Sequence, residues 1–452
     1  MQKGLLIKFG LVALIFILLQ IPLNMIKGIV AERAARQQSV VDEIAKSSYG
    51  SQVFSGLMLS IPYIEEYDEA VEGSEGKVAR RTVVRTVYVF PTKSESKGEV
   101  NVSSKSRGLF KARVYDWSTS LNGNFSFEMT GLVASAHEGS RIIWGEPFVS
   151  LAVSDSRGLD GALALQWNGA VIPLERGSGL IWLPNGLHAK IPGLDPTKPQ
   201  SFEYTMKLKL RGTESLAFLP LATENNIYLK SQWPHPSFGG HFLPQTESQV
   251  INKDGFDAHW SINGAATNAP QQMIALLSNG KVGATTNNVE SVGIRFVNPI
   301  DIYSLTDRAL KYGFLFIALT FVCLILIELL KQLRIHPAQY LLGGLALGVF
   351  FLLLIALSEH VEFWVAYLVA SLACISLLGY YLTAVLRSVG RGLMFSAMLT
   401  TLYGALYGLL ISEDNALLLG ALLVFGILAV TMAITRRLDW YALKTPELAK
   451  QT

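Results

Sequence analysis

The stretch LLIALSEHVEFWVAY, residues 353–367, sets Ser358, Glu359, His360 and Glu362 between two apolar runs. A carboxylate beside an imidazole is the pairing used in general acid–base catalysis, and with further ligands it can hold a metal. The same four residues also suit the solvated tip of a membrane hairpin, where they would do no chemistry. Elsewhere the chemistry-bearing groups are sparse. His235, His241 and His259 form the densest histidine set, but no helical His pair or Cys companion joins them, and zinc wants three or four convergent ligands. Glu328 is the one carboxylate well inside an apolar run, with Lys331 three residues on. The chain has no Gly-x-Ser-x-Gly elbow, no Gly-rich phosphate loop ending in Lys-Ser/Thr and no His-Glu-x-x-His. The acidic run Glu65, Glu66, Asp68, Glu69, Glu72, Glu75 precedes Lys77, Arg80 and Arg81 without calcium-loop spacing, so it reads as a solvated, self-neutralising loop. The expectation is therefore a non-enzyme with no catalytic, cofactor-binding or metal-ligating residue.

The most unusual stretch is WPHPSFGGHFLP, residues 233–244. Pro234 and Pro236 stiffen the backbone around His235, Gly239 and Gly240 permit a sharp turn, and Trp233, Phe238 and Phe242 supply apolar surface. Two readings fit equally: a partner-binding loop formed by Trp233, His235, Ser237, Phe238, His241 and Phe242, or a turn that plugs a core.

The elements that position these residues follow from hydropathy. The chain has 452 residues, of which 50% are hydrophobic and 16% charged, against roughly 25% charged in a soluble domain. A bilayer core of ~30 Å needs about 20 apolar residues in a helix. Runs at 312–330, 338–357, 363–386, 393–411 and 416–434 satisfy this, and only the first carries a charge, Glu328. Each charge at a helix centre costs roughly 2.5–3.5 kcal/mol on insertion scales. A further run, Phe9–Ile26, follows Lys3 and Lys8. It is longer than the ~7–15-residue apolar region of a signal peptide, although Ile29-Val30-Ala31 leaves cleavage open. Gln20, Pro22 and Asn24 fit it for packing against the other helices. Six spans are expected, with Gly344/Gly348, Ala366/Ala370 and Gly404/Gly408 as small-residue packing positions.

Lys and Arg in short loops set orientation. Loops 331–337 and 387–392 carry Lys331, Arg334, Arg387 and Arg391, and the tail after 434 begins with Arg436 and Arg437. Loops 358–362 and 412–415 hold only Glu359, Glu362, Glu413 and Asp414 as charges. Both termini are then cytoplasmic, residues 28–308 are periplasmic, and Glu359, His360 and Glu362 lie at the tip of a periplasmic hairpin.

Residues 28–308 hold 26 Lys/Arg against 28 Asp/Glu, and both cysteines, Cys323 and Cys374, lie outside them. The near-neutral balance argues against a nucleic-acid partner, and the domain folds without disulfides. In EYTMKLKLR, 203–211, apolar and polar residues alternate, the signature of a half-buried strand. Segments 82–90, 147–153 and 292–297 read likewise, as do Phe125, Phe127 and Met129. The result is an all-β, sandwich-like domain inserted between spans one and two. The proline-rich 191–200 reads as a linker between subdomains at about 50–190 and 201–303, and 28–47 as a helix continuing the first span. Ser304-x-x-Asp307 reads as a capping box opening a helix over 305–330, with Asp307 and Arg308 in an interfacial collar. The expected divisions are thus a 1–27 anchor, the 28–308 domain, a 309–434 bundle and a 435–452 tail.

WPHPSFGGHFLP, LTDRALKYGFLFIALTF, HPAQYLLGGLAL and LLLIALSEH closely resemble the CreD family of bacterial inner-membrane proteins, and the likeness covers the whole chain. The resemblance implies the inner membrane of a Gram-negative bacterium. It also implies a role in envelope integrity under a two-component system, linked to colicin tolerance and the β-lactam response. It brings no catalytic residue or cofactor. The expected partners are the lipid bilayer and a periplasmic protein or envelope component, bound non-enzymatically. The alternative is a small-molecule or lipid transporter or channel.

Overall fold

The computed structural model describes residues 2–70, 78–128, 139–161, 164–279, 285–297, 301–331, 333, 335–412 and 415–436. It divides into two units, Met1–Gln38 with Ile300–Thr452, and Ser39–Pro299. The helices in chain order are α1 (Gln2–Leu18), α2 (Gln20–Ser47), α3 (Ala269–Asn279), α4 (Ile302–Lys331), α5 (Pro337–Ser358), α6 (Phe363–Val385), α7 (Val389–Ile411) and α8 (Ala416–Thr435).

The first unit is helical. The run Ile7–Ser47 and helices α4, α5, α6 and α7 are long and apolar enough to cross a bilayer, whereas the apolar part of α8, Leu418–Ala433, is shorter. The ladder between α1 and α2 breaks at Leu19, beside the Leu18 carbonyl that Pro22 has no N–H to serve. Leu19 and Leu23 are buried there, as the polar residues around them suggested. A Cβ on Gly344 would run into Leu19 and the Phe321 ring, so this glycine is what lets α1 lie close to α5. Ala366 and Ala370 are buried in α6, while Gly404 and Gly408 face outward with nothing near them. Phe316, Phe350, Tyr367 and Tyr403 pack ring against ring inside, with centroids 4.6–5.5 Å apart. Leu342, Leu372, Leu377 and Phe425 point outward, an apolar exterior that water would not tolerate over so many contiguous turns.

Among the described residues, the second unit is a sandwich of two nine-stranded sheets. The first sheet orders its strands Glu175–Arg176, Gly186–Lys190, Phe148–Val153, Gln52–Ala70, Ser215–Phe218, Val292–Phe296 and Pro236–Gly240, with Val78–Val89 and Arg141–Trp144 also paired to Gln52–Ala70. The second orders Val250–Asn252, Gly255–Asn263, Glu224–Ser231, Lys93–Arg107, Phe110–Phe127, Gln200–Thr213, Ala164–Trp167 and Ala170–Pro173, with Leu159–Asp160 beside Gln200–Thr213. Tyr204, Met206, Leu208 and Leu210 are buried while Glu203, Lys207 and Lys209 are exposed, matching the period of two. Met129, Glu72, Glu75 and Lys77 lie outside the described residues, as do Arg334, Glu413, Asp414 and the tail from 437.

Three expectations change. The two subdomains are one body. Gln200–Thr213 pairs with Phe110–Phe127 from Gln200↔Phe127 to Thr213↔Val114, and Glu224–Ser231 pairs with Lys93–Arg107. The prolines of 191–200 mark where the chain crosses from one sheet to the other, with Ile191 and Leu194 buried in the shared core. The helical unit takes residues up to Gln38, so the β unit begins at 39 rather than 28. Glu65, Asp68 and Glu69 sit in a strand, not a loop, and face Arg85, Arg80 and Arg81 across the hairpin at 3.3, 3.8 and 2.8 Å.

Each sheet has a second face. That of the first is covered by α3 and the segment around Leu180 and Leu183, which bury Met58, Ala152 and Leu219. Among the described residues, that of the second is covered at one end alone, where Val40 and Ile44 of α2 bury Ala112 and Val114.

Candidate functional site

The hairpin tip is less free than its sequence suggests. Glu359 has a side chain only 9% exposed, with the Arg33 guanidinium 3.8 Å away. It accepts a hydrogen bond from the Tyr303 hydroxyl at 3.1 Å. His360 turns Nδ1 to the Ala356 carbonyl at 3.1 Å, which satisfies the end of α5, and Glu362 accepts from Trp364 Nε1 at 2.7 Å. Glu359 and His360 therefore engage different partners instead of each other, so the solvated-tip picture fails for Glu359 and the acid–base pair lacks its geometry.

The collar also differs from expectation. Asp301, not Ser304, caps α4: it accepts from Tyr303 N and Ser304 N at 3.3 Å and from the Ser304 hydroxyl at 2.6 Å. The helix opens one turn earlier because the aspartate outcompetes the serine as an acceptor for free N–H groups at a positive dipole end. Asp307 pairs instead with Lys311 at 2.7 Å, one helical turn on, and Arg308 lies half-buried beside it.

A second ionic cluster forms around Glu328, whose nearest charged neighbour along the chain is Lys331. Glu328 pairs with Lys8 of α1, accepts the Tyr340 hydroxyl at 2.8 Å and accepts Ile335 N at 3.2 Å. Lys8 and Arg33 are 25 residues apart, roughly 37 Å along a helix at 1.5 Å per residue. Tyr303 and Glu328 on α4 have the same separation. The amino-terminal helical run is thus tied to α4 directly at Glu328 and, at its other end, through Glu359 to Tyr303, which sets it antiparallel to α4. Lys8, Arg33 and Tyr303 were invisible as partners because each lies far from its acid in sequence, and Tyr340 because a loop separates its helix from that of Glu328.

In the β unit, the aromatic loop is a core plug. Pro236–Gly240 pairs with Val292–Phe296, and Phe238 packs edge-on to Phe256 and Trp260, each at 5.6 Å. Trp233 lies under the Arg113 guanidinium at 4.5 Å and donates its indole N–H to the His235 carbonyl at 3.0 Å. Phe242 packs on the same core. Gly240 has φ 96° with the Ser291 carbonyl where a Cβ would go, so only glycine fits. His235, Ser237 and His241 remain exposed. His259 stacks on Tyr228 at 4.0 Å, and burial holds its pKa below the usual imidazole value. Among the described residues, no three His, Cys, Asp or Glu side chains group as metal ligands.

Asp155 and Arg157, which sequence reading passed over, fasten the end of α2 to the sandwich. Arg157 donates to the Lys46 and Ala45 carbonyls at 2.5 and 3.3 Å. Asp155 accepts from Gly50 N at 2.9 Å and from Arg157 Nη2 at 2.6 Å. Burial raises the Asp155 pKa, but hydrogen bonds from Arg157 and Gly50 outweigh it and leave the value below the ordinary one.

Apolar helices fit to cross a bilayer, carrying a β-sheet-rich domain between the first of them and the rest, define a multi-pass membrane protein. Residues 4–441 match the family described as Inner membrane protein CreD. A similar protein, the Inner membrane protein CreD of Escherichia coli (strain K12), is 36% identical over 432 residues, covering 96% of this chain and 93% of the relative. The chain belongs to the CreD family.

Proposed function

We propose that this inner-membrane protein supports cell-envelope integrity and the envelope stress response non-enzymatically, by holding a periplasmic binding domain at the membrane. In this reading α8 is a sixth span, both termini are cytoplasmic, and the β unit faces the periplasm. The observation that carries it is the alternation of loop charge. Lys331, Arg334, Arg387 and Arg391 fall in loops on one side, and the loops on the other side have no Lys or Arg. The ties at Lys8–Glu328 and Arg33–Glu359 support it further, because ~37 Å between them exceeds the ~30 Å hydrocarbon core.

The rival reading, a transporter or channel, would rest on Glu328 as an intramembrane ionisable group. Its clamping by Lys8, Tyr340 and Ile335 N favours a structural tie instead. The test is in-cell photo-crosslinking from His235, Ser237 and His241, the exposed positions of the aromatic loop. Recovery of a periplasmic protein or wall fragment supports the binding role. Failure to capture anything from these positions or from other exposed strands of the domain, with substrate accumulation by vesicles containing the protein, would move the case to the transporter.

A further inference from the structure

We propose that a trough along the strand Phe110–Phe127, on the face of the second sheet left open among the described residues, binds an extended glycan that carries carboxylate groups. This deepens the reading above, since it names the chemical class of envelope component the domain would hold. The outward positions of this strand change character midway. Ala112 and Val114 are roofed by Val40 and Ile44. From Asp116 to Ser126 the outward residues are all short hydroxyl, amide or carboxyl side chains, and none is fully buried. Ten residue steps at ~3.3 Å each make a strip of short side chains roughly 33 Å long, with the depression itself around Ser118 and Ser120.

The register supplies the walls. Ser120 lies between Lys97 on one neighbouring strand and Lys207 on the other, and Ser118 lies between Glu99 and Lys209. Short side chains flanked by long ones leave a depression of about 480 Å³, lined by Lys97, Ser118, Ser120, Asp160, Lys207 and Lys209 among others.

Charge then distinguishes the two walls. Lys97 is held by Glu95 at 2.8 Å and sits over the Tyr228 ring at 5.2 Å. Asp160 is held by Arg211 at 2.7 Å. Among the described residues, Lys207 and Lys209 form no ion pair. Glu99 does not line the depression. Lys209 stands opposite Asp160 in register, but that carboxylate is engaged by Arg211, so the two ammonium groups that line this wall without an ion pair call for an anionic occupant.

The floor excludes the ordinary modes of protein recognition. Phe110–Phe127 is hydrogen-bonded along both edges, so no backbone group is left for an added peptide strand. Among the described residues the depression is lined by lysine stems, Leu208 and short hydroxyl side chains with no aromatic ring, unlike the pockets that take the aromatic anchors of protein interfaces. What it offers are hydroxyls and amides, each able to donate and to accept, spaced along a line. That matches the hydroxyl-edged rings of a polysaccharide, with its carboxylates against Lys207 and Lys209.

The experiment uses the full-length protein in detergent micelles and three fluorescent probes, followed by anisotropy. These are a carboxylated octasaccharide of alternating N-acetylhexosamine and uronic acid, its carboxyl-reduced counterpart, and a glutamate-containing peptide of equal length and charge. The expected result is binding of the carboxylated sugar, at least fivefold weaker binding of the reduced sugar, and still weaker binding of the peptide. The paired charge reversal Lys207→Glu with Lys209→Glu should lower affinity for the carboxylated sugar at least tenfold without shifting the melting temperature. Ser120→Trp, which fills the trough, should do the same, and Glu99→Gln should not. No binding of the carboxylated sugar overturns the proposal, as does a peptide that binds as well or an affinity indifferent to the lysine reversal. If the sugar titration is blank while crosslinking from the domain still captures an envelope component, the glycan is wrong and the binding role stands. A β unit found in the cytosol removes both.

Discussion

At the scale of single residues, what the fold does with charge matters more than how much it carries. Asp155 is the clearest case, because its carboxylate joins Gly50, Arg157 and, through Arg157, the end of α2. Its folded pKa lies below the unfolded one. The stabilisation is thus present above the ordinary carboxylate range and is lost as pH falls through the lowered folded value. Asp155→Asn should cost about 1.5–3 kcal/mol at neutral pH, the range for hydrogen bonds to a charged group. It should also flatten the acid limb of stability, read as melting temperature against pH; an unchanged acid limb would show that other carboxylates set it. The Lys8–Glu328 pair makes a second prediction. Lys8→Ala should destabilise by about 2 kcal/mol, less than the ~3–5 kcal/mol of a fully buried pair because Lys8 is partly exposed. In a double-mutant cycle, adding Glu328→Ala should cost less than it does in the parent. Strict additivity would mean that the two side chains do not interact. Asp155 and Arg157 are only two residues apart, but Gly50 and Asp155 are 105 apart and Lys8 and Glu328 are 320 apart, and contacts of that range leave no local periodicity to read.

At the scale of elements, the same residue types served opposite ends. Trp233, Phe238 and Phe242 have the composition of a recognition loop, yet their rings complete a core. Composition cannot separate the two, because an anchor for a partner and an anchor for one's own sheet both need large apolar area between turn residues. Phe238→Ala should therefore destabilise by about 2–3 kcal/mol, whereas His235→Ala and His241→Ala should stay within about 0.5 kcal/mol. Denaturant midpoints would show this, and a Phe238→Ala protein of unchanged midpoint would restore the loop as an exposed epitope. Helix packing gives a parallel contrast. Gly344→Leu should cost about 1–3 kcal/mol by forcing α1 away, while Gly408→Leu, with nothing near it, should melt like the parent. If both substitutions behave alike, close approach of α1 and α5 is not what Gly344 provides. Apolar helices and strands were readable because hydropathy and alternation are local properties; EYTMKLKLR showed which face of its strand is buried. Which strands neighbour one another was not readable, since pairing such as Glu224↔Lys93 is set by the sandwich as a whole. That is also why the proline-rich 191–200, a crossing between sheets, looks like a domain boundary in sequence.

At the scale of the whole molecule, the proposed role stands on the side of the membrane that each segment occupies. If Lys8–Glu328 and Arg33–Glu359 lie at opposite ends of one membrane-spanning helical run, the chain must keep its first thirty or so residues to keep both ties. Cleavage after Ala31 would remove Lys8 and leave Glu328 without its ammonium partner, an uncompensated carboxylate beside apolar helices. The protein recovered from membranes should thus retain an amino-terminal tag, and intact mass should equal that of the full chain. Loss of the tag from otherwise stable protein would break the argument that these pairs hold the first helix. Orientation is tested on the same material. A phosphatase fused after Thr285 should be active and a fluorescent protein at that site dark, because the first needs the periplasm to mature and the second needs the cytosol. Fusions after Arg436 should report the reverse, and that pair also tests α8 as the sixth crossing, since an even number of spans returns the tail to the side of Met1. Active phosphatase at both sites would leave five spans and put the basic residues at 436 and 437 outside, against the preference of Lys and Arg for the inner face.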